Sequence, residues 1–155
     1  MKKLIFLLPL LMFILPLSAM GGICQKHSLT DDEISYVREM ASNVDEETAA
    51  RFAELHENWY ADASKDYKIL LDSSMDARKK LPQFKELVEM GESVLPLVAE
   101  KLMDEKYLFS QIIFMAIIDL QYPGKYSDKY CNLSGQERAI ALVKDWVKQT
   151  SGNSN

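Results

Sequence analysis

Arginine is scarce in this sequence: Arg38, Arg51, Arg78 and Arg138 are the only four in 155 residues. Phosphate backbones and anionic membrane surfaces are held by clustered Lys and Arg. An Arg-poor chain of net charge -5 is therefore not expected to bind nucleic acid. Loss of Lys2 and Lys3 with the leader described below leaves 16 basic residues against 23 acidic ones, a net charge near -7. Histidine is scarcer still, with only His27 and His56. His56-Glu57-Asn58-Trp59-Tyr60 opens like a zinc-protease motif, but Tyr60 stands where a second imidazole is needed on the same helical face. No Gly-rich phosphate loop, no G-x-S-x-G, no C-x-x-C and no Asp-rich calcium loop occurs, so neither a metal nor a cofactor is expected. No segment alternates apolar and polar residues between turn signals, so no sheet is expected.

The one region that reads as a targeting signal is at the start. Met1-Lys2-Lys3 is a basic n-region, Leu4 to Leu17 is a 14-residue apolar stretch, and Ser18-Ala19-Met20-Gly21 supplies small residues for cleavage. This pattern predicts a secretory signal peptide over residues 1–21 and an exported protein, periplasmic or secreted. The apolar stretch is short of the roughly 20 residues a spanning helix needs, so no membrane span is expected once the leader is removed. Two cysteines exist, Cys24 and Cys131. Ile23 stands before Cys24 where a lipobox wants a small residue, which disfavours a lipid anchor there. An oxidising compartment favours pairing Cys24 with Cys131. That bond would close a loop of about 108 residues and contribute on the order of 4–5 kcal/mol.

The remaining chain is expected to be one helical domain, with a lead-in at residues 22–29, the domain at 30–149 and a frayed tail at 150–155. Thr30 and Glu33 form a capping box for a first helix reaching about Val44. Asp45 caps a second, in which Phe52, Leu55, His56, Trp59 and Ala63 make an apolar stripe that Tyr67, Leu70 and Leu71 continue past a break near Asp62–Lys65. Arg78-Lys79-Lys80 suits the negative end of a helix dipole. Pro82 opens a helix and Gly91 closes it; Ser93 caps the next, with Pro96 in its first turn. From Leu108 to Leu120 ten of 13 residues are apolar, which places that helix at the centre of a bundle. Ser134 and Glu137 cap a last helix carrying Ala139, Leu142, Val143, Trp146 and Val147 on one face. The fold class expected is all-α: a compact bundle of six to seven short helices, with no sheet.

Pro82 to Leu102 resembles a single HEAT-like helical hairpin. More widely, Phe52, Leu55 and Trp59, then Ser73-Ser74, Pro82, Met90-Gly91, Leu95-Pro96, Leu102 and Trp146 resemble a family of small bacterial all-helical proteins. Tyr107-Leu108-Phe109 stands where its members carry a Trp-rich run. The resemblance implies a fold and no reaction.

The surface feature that stands out is the loop after the central helix. Tyr122, Lys125, Tyr126, Lys129 and Tyr130 interleave aromatic and basic side chains, a composition suited to recognition. The same rings could instead fold back over the bundle as a lid. The expected function is an exported helical binding or interaction module for a protein or small molecule. The alternatives are a small hydrolase using paired carboxylates, and a structural or inhibitor-like envelope protein.

Overall fold

Thr30 starts the first helix as its sequence predicts. The Thr30 hydroxyl accepts from the Glu33 amide at 3.2 Å, and the Glu33 carboxylate accepts from the Thr30 amide at 2.7 Å. A computed structural model describes residues 28–72, 75–124, 129–130 and 132–152. The predicted leader, both cysteines, His27, Ser73, Ser74, Lys125, Tyr126 and the last three residues lie outside these. Among the described residues there is no strand, and the chain folds as an all-α bundle.

α1 (Asp31–Ser42) buries Val37 and Ala41. α2 (Glu46–Lys65) begins where the Asp45 carboxylate accepts from the Thr48 amide, and it buries Phe52, His56, Trp59 and Ala63 along one face. The chain breaks at Asp66, whose extended backbone ends α2 and whose side chain caps α3 (Tyr67–Leu71). The break alters the predicted stripe. Tyr67, Leu70 and Leu71 do not continue the core face; all three are exposed, because a five-residue helix set off by a non-helical residue no longer shares the phase of α2.

Next comes α4 (Asp76–Lys79), entered through Met75 with φ of 63°. Left-handed backbone is uncommon for a residue with a Cβ. α5 (Pro82–Glu89) carries Pro82 in its first turn, and Gly91, at φ 71°, makes the turn that follows it. A 3-10 turn (Gly91–Val94) leads into α6 (Leu95–Leu102). Ser93 is not the cap predicted for α6. It lies inside the 3-10 turn and donates back to the Met90 carbonyl at 2.9 Å. A 3-10 segment (Glu105–Ser110) precedes α7 (Gln111–Gln121), so the first residues of the predicted central helix are wound more tightly than an α-helix. α8 (Gly135–Ser151) has the predicted Ser134–Glu137 capping box and buries all five expected residues. It runs two residues beyond the predicted boundary, with the Thr150 hydroxyl donating to the Trp146 carbonyl.

α7 is the centre, packed by α5, α6 and α8 and burying Ile112, Ile113, Phe114, Ile117 and Ile118. The helices on either side of Gly91 pack mainly on other elements. α5 lies against α2 and α7, while α6 lies against α1, α7 and the 3-10 segment.

Candidate functional site

Burial of polar groups singles out one region. Four polar residues are buried among the described ones: His56, Arg78, Ser110 and Gln111. They come from α2, α4, the 3-10 segment and the start of α7, and the first three surround one cluster of rings. His56 Nε2 is 2.8 Å from the Ser110 hydroxyl, which joins α2 to the 3-10 segment. The imidazole is flanked by the rings of Phe52, Trp59, Tyr60 and Tyr107. Burial lowers its pKa to about 4, the Lys101 ammonium pushes the same way, and Glu57 opposes them. The ring is therefore neutral at neutral pH. Its Nδ1 has no partner among the described residues.

Beside this cluster is a cavity of about 210 Å3 lined by Trp59, Tyr60, Ala63, Ser64, Leu70, Arg78, Lys106 and Phe109. The Trp59 indole donates to the Arg78 carbonyl at 2.9 Å, which pins α4 onto α2. Arg78 is 2% exposed; its guanidinium donates to the Asp72 carbonyl at 3.1 Å and lies 3.8 Å from the centre of the Phe109 ring. Burial lowers its pKa, against the pull of Asp72 and Tyr60. Among the described residues no carboxylate lies within ion-pair distance of it. The Tyr60 hydroxyl is buried without a hydrogen bond of normal geometry, and burial pushes its pKa up to about 12. At the mouth, the Lys106 ammonium donates to the Tyr107 hydroxyl, which in turn donates to Glu57 at 2.9 Å. That last bond is the main cause of the lowered Glu57 pKa.

The basic triplet therefore differs from its sequence reading. α4 has four residues and little dipole to complement. Arg78 turns inward, and Lys79 pairs with Asp76 at 3.1 Å. α3 presents apolar surface beside the cavity: Leu70 lines it and is 49% exposed, and Tyr67 and Leu71 on the same helix are 72% and 65% exposed.

Of the loop residues proposed from sequence, the described ones, Tyr122, Lys129 and Tyr130, do not line this cleft; Lys125 and Tyr126 lie outside the described residues. Tyr122 is exposed beyond the end of α7. Lys129 and Tyr130 both donate to the Asp145 carboxylate on α8. Tyr130 is 5% exposed and belongs to the core, held also by Arg138, whose Nε donates to its carbonyl at 3.2 Å. Burial alone would raise the Asp145 pKa; the two donors outweigh it and the net shift is down. Lys129 and Tyr130 are thus held against α8. Near Leu120 there is instead an open groove of about 420 Å3 between α5 and α7, where Asp119 Oδ1 is buried without a hydrogen-bond partner among the described residues.

No family model, curated protein or solved structure matches this chain. No group of three or more metal-ligating side chains occurs among the described residues, and no described helix is long and apolar enough to cross a membrane. A carboxylate hydrolase needs one acid held protonated near neutral pH. Asp45, Glu57, Asp62 and Asp145 are all displaced downward from their ordinary range.

Sequence reasoning missed Arg78, Phe109 and Ser110. The scarcity of arginine and the Tyr107-Leu108-Phe109 run were the signals available for the first two. Ser110 has none, because its pairing with His56 spans 54 positions.

Proposed function

We propose that this protein is an exported interaction module that binds a protein partner through the face formed by α3 and the aromatic cleft behind it. The observation that carries this reading is that α3 sets Leu70 in the wall of the cleft and leaves Tyr67, Leu70 and Leu71 exposed. Contiguous apolar surface on a soluble domain marks an interaction site. Ligand pockets for drug-sized molecules run to about 300–1,000 Å3; a cavity of about 210 Å3 suits one anchoring side chain or chain end. Anchors of this kind, set in a pocket and ringed by neutral contacts, dominate binding energy at protein interfaces. The resemblance to small bacterial helical proteins agrees with such a module and adds no reaction. An inhibitor-like role in the envelope is the same reading with an enzyme as partner.

The test is recovery of the protein from its native envelope under mild conditions, beside a double variant Leu70→Asp, Leu71→Asp. The reading predicts a stoichiometric protein partner with the parent chain and its loss with the variant, at unchanged thermal unfolding. Equal recovery of that partner with the variant, or recovery of the parent chain alone, contradicts it.

A further inference from the structure

The cleft has a charge pattern unlike the rest of the molecule. The chain carries 23 acidic residues against 18 basic, yet the cleft is lined by two cations, Arg78 and Lys106, and by no carboxylate. Arg78 is the more informative. A guanidinium has five N–H donors in one plane, and among the described residues this one makes a single hydrogen bond, to a backbone carbonyl. A buried charge is costly unless paired, and Asp72 attracts this one without an ion pair at contact distance. Phe109 covers the guanidinium face and leaves its edges, through which a carboxylate pairs. Tyr60 lines the same cavity, and its buried hydroxyl, without a hydrogen bond of normal geometry among the described residues, is a further donor beside Arg78. The remaining walls, Trp59, Ala63, Leu70 and Phe109, are apolar.

We propose that the cleft recognises a carboxylate carried on an apolar body, with Arg78 and Tyr60 as its donors and the aromatic walls enclosing the body. This rests on the cleft being the binding surface and specifies the group that enters it. Two sources present this chemistry: the C-terminal residue of a partner chain and a free small organic acid.

The test uses four probes in paired form: phenylacetate with phenylacetamide, and N-acetylphenylalanine with its amide. Each is titrated into the full chain and followed by calorimetry and by the Trp59 indole N–H resonance. The proposal expects each acid to bind at least about ten-fold more tightly than its amide, the scale of one charge-assisted pair. It expects that preference to shrink in Tyr60→Phe and in Arg78→Lys, each first confirmed as folded. N-acetylphenylalanine above phenylacetate indicates a chain terminus, and the reverse order a free acid; both support the proposal. Acid and amide bound equally, with the Trp59 resonance shifted, overturns the carboxylate assignment and leaves the binding reading standing. An acid preference unchanged in both variants also overturns the assignment, since the carboxylate is then held elsewhere. No shift with any probe removes the cleft as a binding surface and the proposal with it.

Discussion

The His56 imidazole and the Ser110 hydroxyl, 54 positions apart in sequence, meet at 2.8 Å in the buried centre of the aromatic cluster. Their bond makes the long helix α2 and the 3-10 segment one wall, and that wall carries Trp59, Tyr60, Lys106 and Phe109 into the cleft. It also fixes a pH dependence. His56 titrates at 6.5 when exposed and near 4 in the fold. Between these values the unfolded chain takes up a proton that the folded chain refuses. Stability is therefore full above pH 6.5 and falls as pH drops toward 4, by about 3 kcal/mol in total. The lowered carboxylates Asp45, Glu57, Asp62 and Asp145 act in the same direction as pH falls through their ordinary values of 3.8 to 4.5, at the acid edge of this window. Urea unfolding across pH 4–7 should show this slope, and His56→Gln should remove most of it.

Trp59 ties α4 to α2 through its indole N–H. Trp59→Phe keeps a ring but deletes that donor and leaves the buried Arg78 carbonyl without it. The combined loss of packing and hydrogen bond is expected to cost about 2–4 kcal/mol in denaturant unfolding. The same variant should release α4, seen as faster amide exchange over Asp76–Lys79 than in the parent.

The two described tyrosines at the ends of the loop should behave differently. Tyr130 is buried and bonded to Asp145, so Tyr130→Ala is expected to cost about 3 kcal/mol or more. Tyr122 is 53% exposed, and Tyr122→Ala should cost less than about 1 kcal/mol. Paired thermal melts decide this; equal small losses would contradict the placement of Tyr130 against α8.

Leucines should divide in the same way. Leu87 is fully buried, and Leu87→Ala should cost about 2–5 kcal/mol. Leu71 is 65% exposed, and Leu71→Ser should shift stability by no more than about 0.5 kcal/mol while weakening partner capture.

The fold was legible wherever a signal was local. Both capping boxes, Pro82 and Gly91, and the buried face of α8 follow from residues three to seven apart. What failed was phase across a break. Tyr67, Leu70 and Leu71 fit the stripe of α2 only if the helix is continuous, and Asp66 interrupts it. That failure hid the site, because Leu70 becomes part of its wall and Tyr67 and Leu71 become exposed surface of the same helix. Arg78 was misread for a related reason: a basic triplet suits the end of a long helix, and α4 is a single turn. Within the tyrosine loop, composition did not announce the burial of Tyr130, because its partner Asp145 is 15 positions away on α8.

The central claim, that α3 and its cleft form the binding face, is tested most directly by hydrogen exchange on the chain with and without the partner recovered from the envelope. The account predicts new protection over Tyr67–Leu71 and Lys106–Phe109, with little change elsewhere. Protection centred on the Asp119–Leu120 groove or on the tyrosine loop, with α3 exchanging as in the free chain, would contradict it.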